Sequence, residues 1–199
     1  MRQVPANSDK YSYLIVGNGR LSKHFQHYFQ LKNISFKVWT RNSNESLQSL
    51  GQNAERILVL INDDAIQNFL ENNLDTFSKS KNIIHCSGML SSPLAENAHP
   101  LMTFTDELYS LEKYESINFI TEIGRKTFNE LFPELNNSCY AIESTEKTLY
   151  HAYCVLSGNF TTLMWKIFFD YLKSHNIPSS AAFPYLNATT ENLMKASQP

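Results

Sequence analysis

Two glycines set directly behind an apolar run constrain this chain more than any other feature. Residues 11–16 read YSYLIV, and Gly17-Asn18-Gly19-Arg20-Leu21-Ser22 follows without a break. The run is rich in the aromatic and β-branched residues that suit a strand. Leu21, Phe25, Tyr28 and Phe29 then recur on one helical face, Asn33 ends the helix, and residues 34–39 (ISFKVW) alternate as a second strand. Strand, turn, helix and strand close within about thirty residues, the length of one parallel crossover unit. In such a turn the first glycine makes the bend and the second lets the backbone approach a pyrophosphate. The third position needs only a small residue, here Ser22. The helix start offers free N–H groups to the phosphates. G-x-G-x-x-S in this setting reads as a dinucleotide cradle made of Gly17, Asn18, Gly19, Arg20 and Leu21. An ordinary tight turn and the glycine turn of a methyltransferase are the competing readings.

The end of the second strand bears on which dinucleotide. NAD enzymes place an acidic residue there for the ribose hydroxyls. This chain has Trp39-Thr40-Arg41-Asn42 instead. The Arg41 fork suits a 2′-phosphate, and Thr40 and Asn42 add hydrogen bonds, so the pattern favours NADP over NAD. Residues 57–61 (ILVLI) form a continuous apolar run of the kind buried in a parallel sheet. Ile61, Asn62 and Asp63 at its end flank the cofactor, or Asn62 and Asp63 cap the next helix. Residues 83–85 make a short strand in which His85 reads as structural. Ser87 and Gly88 turn away from it toward the nicotinamide ribose. Pro93 stands where a first helical position tolerates proline. His99-Pro100 reads as a loop, 117–120 as a strand, 124–132 as a helix stopped by Pro133, and 138–142 as the last strand. These elements specify an α/β fold: a Rossmann-type parallel sheet with helices on both faces over residues 1–142.

The texture changes after Glu143. Ser144 or Thr145 caps a long helix running to about Ser174, and a final helical piece spans 181–195. The apolar surface of the long helix is wider than one stripe. Residues 143–199 therefore read as a small all-helical domain for substrate binding and dimerisation, too short for a robust core of its own, that packs on the first domain, on a second subunit as a homodimer, or on both. Hydride transfer belongs to the cofactor, so the protein must orient a substrate and protonate it. His151 and Asn159, eight positions apart, fall on one side of a regular helix. His151 fits a general acid and Asn159 a hydrogen bond to substrate, while His99 lines the pocket from its loop. The plainer reading makes His151 an interface histidine and His99 a turn cap.

Composition removes other classes. Net charge is -2 and no basic face is visible, which argues against nucleic acid. No stretch of about 20 apolar residues exists to span a membrane, and the polar N-terminus lacks the apolar region of a leader. Cys86, Cys139 and Cys154 are odd in number and widely spaced, as in reduced thiols of a cytoplasmic protein. No metal-ligand cluster and no G-x-S-x-G elbow occur.

Six short motifs, in order, resemble the Rossmann-like oxidoreductases that carry the C-terminal domain of unknown function 2520, relatives of ketopantoate reductase, pyrroline-5-carboxylate reductase and the 6-phosphogluconate dehydrogenase group. They are VGNGRLSKHF at 16–25, WTRN at 39–42, LVLINDDAI at 58–66, IIHCSGMLSS at 83–92, HPLMTF at 99–104 and LYHAYCVLSGNF at 149–160. The resemblance implies an NADP-binding domain followed by a helical domain that dimerises. In ketopantoate reductase-like relatives a catalytic Lys and a substrate-binding Asn stand eight positions apart on the corresponding helix, which puts His151 in the place of that Lys. It also implies more chain beyond Asn192-Leu193-Met194-Lys195 than the four residues present. Two functions are therefore expected. One is an NADP-dependent oxidoreductase acting on a small carbonyl, imine or hydroxy acid. The other is a non-catalytic dinucleotide-binding or sensing protein with a shortened substrate domain.

Overall fold

The structure, a computed structural model, describes residues 10–77 and 82–196. Residues 1–9, which carry the expectation of no leader, lie outside it, as do 78–81 and 197–199. The chain divides into two compact units, Met1–His151 and Ala152–Pro199. The division falls nine positions after the expected boundary at 142.

In the first unit β1 (Tyr11–Val16), α1 (Arg20–Leu31) and β2 (Phe36–Trp39) form the crossover expected from the glycine turn. Asn33 ends α1 in the left-handed region, with φ at 54°, a conformation asparagine tolerates. Then come α2 (Leu47–Asn53), β3 (Ala54–Val59), α3 (Asp63–Asn73), β4 (Asn82–His85) and β5 (Glu96–Asn97). The five strands lie in the order β2-β1-β3-β4-β5, all parallel. Alternation along β1 explains the layering. Tyr13 and Ile15 point to one face, where Phe25, Tyr28 and Phe29 of α1 cover them. Leu14 and Val16 point to the other, under Leu47 and Leu50 of α2 and Ile66 and Leu70 of α3. The continuous apolar run of β3 serves both faces, Leu58 one and Ile57 and Val59 the other.

Several elements differ from the expectation. The helix expected from Pro93 is a turn, because the Arg125 guanidinium takes the Ser92 and Ala95 carbonyls that a helix would have used. His99-Pro100, expected as a loop, is a two-residue strand, β6 (His99–Pro100). A short α4 (Leu111–Glu115) follows. β6 then pairs antiparallel with β7 (Phe119–Glu122), which pairs parallel with β8 (Cys139–Ile142), making a small second sheet. The helix expected over 124–132 shrinks to α5 (Phe128–Leu131), since Gly124 turns at φ 77° and Thr127 closes a capping box with Glu130. The expected long helix is interrupted. It opens as a 3₁₀ turn, Ser144–Glu146, with Glu143 at its cap and no side-chain capping bond, and continues as α6 (Lys147–Cys154).

The second unit contains a π-helical segment, Val155–Phe160, then α7 (Thr161–Ser174) and α8 (Phe183–Ala196). Two threonines follow the wide turn. Thr161 and Thr162 donate their hydroxyls to the carbonyls of Leu156 and Gly158 within it. Within the unit Trp165 packs against Phe168, Phe169 and Tyr185. Leu156, Phe160, Leu163, Ile167 and Tyr171 recur at helical spacing and are all exposed.

Gly17 fixes the join of β1 and β3. Its φ is 110°, and a Cβ there would stand 2.3 Å from the Leu60 carbonyl oxygen. Gly17→Ala is expected to lower the unfolding free energy by roughly 2–4 kcal/mol. The measurement is a urea titration, with the midpoint falling at unchanged slope.

Candidate functional site

The carboxyl ends of β1, β2 and β3 open onto a cleft of about 1460 Å³. It lies where the strand order reverses, since β2 and β3 flank β1 on opposite sides, the position at which open α/β sheets bind ligands. Gly17, Asn18, Gly19, Arg20, Leu21, Thr40, Arg41, Asn42, Ile61, Asn62, Asp63 and Ser87 all line it. Gly88 does not, but its neighbour Ser87 does.

The floor is the glycine turn. Ser22, fully buried, donates its hydroxyl to the Gly17 carbonyl at 2.7 Å, so the small third residue also ties the turn down. Gly19 is the N-cap of α1, and nothing lies within 4 Å of where its Cβ would be. The first turn of α1 carries no acidic residue and no side chain caps it, leaving its N–H groups and the positive end of its dipole for an anion. The neighbouring α3 has Asp63 and Asp64 in its first turn, which directs an anion to α1. Asn62 is the N-cap of α3 but makes no capping bond with its side chain, in contrast to the capping alternative. Arg20 is turned aside, donating to the Asp106 carboxylate at 3.2 Å and to the Phe104 carbonyl. Leu21 packs against the core and Asn18 accepts from Gln26.

At the end of β2, the Thr40 amide is held by the Ser43 hydroxyl and the Asn42 amide by the Thr40 hydroxyl. This folds the chain so that Arg41 is exposed, and among the described residues no hydrogen bond or salt bridge occupies its guanidinium. Trp39 and Phe69, ring centroids 6.4 Å apart, form an aromatic wall that sequence reasoning missed. An empty Cβ position at Gly19, an uncapped helix start and an unpaired guanidinium match the size and charge of a phosphorylated dinucleotide.

A second cluster begins beside the cleft. The Ser87 hydroxyl donates to the Asp63 carboxylate at 2.5 Å. Gly88, next along, lies under two imidazoles. A Cβ on Gly88 would be 2.2 Å from Nδ1 of His151 and 3.0 Å from Nε2 of His99. The two rings meet edge to face with centroids 5.8 Å apart. Nδ1 of His99 is 2.8 Å from the Tyr150 hydroxyl. Nδ1 of His151 is buried and has no hydrogen-bond partner among the described residues. Burial, with the neighbouring His151 and Lys147, lowers the His99 pKa to about 4, so the ring is neutral near pH 7. Three residues brought together at Gly88 are thus among those singled out in the sequence. Asn159 lies in the second unit, in the π-helical segment, a feature frequent at functional sites.

Behind the histidines lies a group the sequence did not flag. Lys147 and Glu122 form an ion pair at 2.9 Å with side chains 2% and 3% exposed, and Lys147 also donates to the Leu90 carbonyl. Ser91 donates to the other Glu122 oxygen. Burial alone would raise the Glu122 pKa, yet the bonds from Lys147 and Ser91 and the charges of Lys147 and Arg125 hold it below the usual range. For Lys147 burial wins, and its pKa is lowered despite the carboxylate. His85, fully buried, accepts the Ser87 amide at Nδ1, which places its proton on Nε2, a buried atom without a partner among the described residues. Burial first, then Lys147, lowers its pKa to about 3. Burial also pushes the Cys86 thiol pKa up, although Cys86 lines the cleft. Among the described residues no group of three or more His, Cys, Asp or Glu is placed to hold a metal, and no helix is long and apolar enough to cross a membrane.

Residues 117–199 match the family described as a domain of unknown function, DUF2520. No match is found among curated proteins. Solved structures share the fold. A provisionally described NADP oxidoreductase of Bacteroides fragilis is 18% identical with a TM-score of 0.73, over 96% of this chain and 85% of that one. A semialdehyde dehydrogenase NAD-binding protein of Cupriavidus necator, in complex with calcium and NAD, is 12% identical with a TM-score of 0.64, covering 96% and 85%. A reductive aminase of Aspergillus terreus, in complex with NADPH and ethyl levulinate, is 14% identical with a TM-score of 0.66, covering 92% and 75%.

His85 and His99, both held well below the usual histidine range, contribute to the acid behaviour of this chain. An unfolded histidine takes up a proton near pH 6.5, whereas His85 and His99 resist it until about 3 and 4. Their contribution to stability is full above pH 6.5 and is lost as the pH falls toward those values. Between pH 6.5 and 5 the loss from each is expected to steepen from about 0.7 toward about 1.4 kcal/mol per pH unit. Urea midpoints at pH 7.5 and 5 check this, and His99→Gln should flatten the dependence.

Proposed function

We infer that this chain is an NADP-dependent oxidoreductase acting on a small carbonyl, imine or hydroxy-acid substrate. The observation that carries the reading is the cleft at the strand-order reversal, with an uncapped α1 at its floor and an unoccupied Arg41 at its rim. The pyrophosphate would lie on the N–H groups of α1 and the 2′-phosphate against Arg41, Thr40 and Asn42. Trp39 and Phe69 wall the adenosine end, while Ser87 approaches the nicotinamide ribose. When bound, the nicotinamide supplies or takes up a hydride. The chain's part is orientation and proton handling. His151 acts as the general acid. His99, neutral and tied to Tyr150, polarises the substrate oxygen or nitrogen. Asn159 hydrogen-bonds the substrate. The NADPH complex of the reductive aminase that shares this fold supports a carbonyl or imine substrate. The exposed stripe from Leu156 to Tyr171 supports a homodimer formed through the second unit.

Calorimetric titration tests the cofactor. NADPH is expected to bind at least about tenfold more tightly than NADH, and Arg41→Ala to lose about 10–100-fold in NADPH affinity. Equal binding of the two cofactors, or no binding, rejects the assignment. With a reducible substrate in hand, His151→Ala should slow turnover by about 10²–10⁴ while NADPH affinity stays unchanged. Full turnover in that variant removes His151 from the mechanism. Light scattering should give a mass of two chains; a monomer rejects the dimer.

A further inference from the structure

The segment between β4 and β5 performs two tasks at once. Ser87 reaches into the cleft to hold Asp63 at the start of α3, and Gly88 supports the His151 ring. Both tasks need the segment at one height relative to α6; Asn97 holds the Ser87 carbonyl near its start and Arg125 the Ser92 and Ala95 carbonyls near its end. Its middle is held by buried charge. Lys147, one turn before His151 on α6, bonds the Leu90 carbonyl and the Glu122 carboxylate, and Ser91 bonds that same carboxylate. One ammonium thus joins three elements: α6, which carries His151; β7, which carries Glu122; and the segment that carries Gly88. Residues i and i+4 of a helix lie on the same face, so Lys147 and His151 both face this segment.

We propose that Lys147 and Glu122 are positioning residues that set His151 over Gly88 and beside His99 without touching substrate themselves. The inference rests on the functional reading above only in giving His151 its task. The placement itself is independent of any ligand. A buried ion pair is a poor source of stability compared with an apolar replacement, but it fixes geometry where both partners have further bonds to make. Here both have them. The lysine spans two acceptors and the carboxylate accepts from two donors, so neither end can slide without stranding a buried polar group.

Magnetic resonance on the full chain tests the placement directly. In the wild type a cross-peak is expected between the Gly88 α-protons and the His151 ring. Lys147→Met/Glu122→Gln removes both charges together and avoids leaving one unpaired. The expected result is loss of that cross-peak and a rise in the His99 titration midpoint, with NADPH affinity retained within about twofold. Retention of the cross-peak with an unchanged His99 titration in the folded variant overturns the proposal. Should the double variant fail to fold, Ser91→Ala decides, because it removes only one hydroxyl bond from Glu122. It should shift the Gly88 and His151 resonances and leave those of Gly17 and Gly19 in place, and no shift at Gly88 and His151 overturns the proposal. If the wild type binds no NADPH, the functional reading falls, while the cross-peak still reports on the placement.

Discussion

The backbone of Gly17 passes so close to the Leu60 carbonyl that no side chain fits between them, and the arrangement of the cleft follows from that approach. It lets β1 and β3 run side by side to their carboxyl ends, where the Leu60 amide still bonds the Val16 carbonyl. The chain can then leave β1 steeply enough for α1 to start over the sheet with its N–H groups facing outward. A bulkier residue would push the two strand ends apart and turn the helix dipole away from the point where three strands converge. The preference for an anion at this point is therefore a consequence of a steric fact two positions upstream of the N–H groups themselves.

Charge is sorted around the candidate site in a consistent way. The rim keeps the Arg41 guanidinium exposed, with no partner among the described residues. The interior keeps Lys147 and Glu122 as a closed pair, each giving the other what solvent would have given. Between these regions the imidazoles of His85 and His99 are kept neutral by burial and by the nearby ammonium. A neutral imidazole can donate from one nitrogen and accept at the other. Such rings offer both a donor and an acceptor without placing a permanent charge in the interior.

How much of this was legible in the sequence depended on how far apart the cooperating residues lie. The glycine turn, the helix behind it and the apolar run of β3 are local patterns, and they located the parallel sheet and the cleft. Arg41 was found by its distance from the glycines, a spacing set by one crossover. The Gly88 cluster was reached only in pieces, because Gly88, His99 and His151 occupy three distant places in the chain and no period relates them. Lys147 and Glu122 gave no signal at all. A lysine beginning a helix and a glutamate ending a strand are ordinary surface choices, and only tertiary packing buries them. The two-residue strands β5 and β6 are too short to show alternation. The turn at Pro93 is imposed by Arg125, some thirty positions later. Propensity yields to such contacts when they satisfy buried polar groups.

Cys86 sits at the end of β4 with its sulfur turned away from solvent, although the residue borders the cleft. A thiol so placed is shielded from alkylating reagents both by the protein around it and by its raised pKa. It becomes reactive only in moments when the strand ends packed around it part. Its modification rate in the intact protein is therefore a clock for local breathing, on the same free-energy scale as amide exchange. A ligand that bridges Ser87 and the glycine turn would slow that clock without ever touching the sulfur.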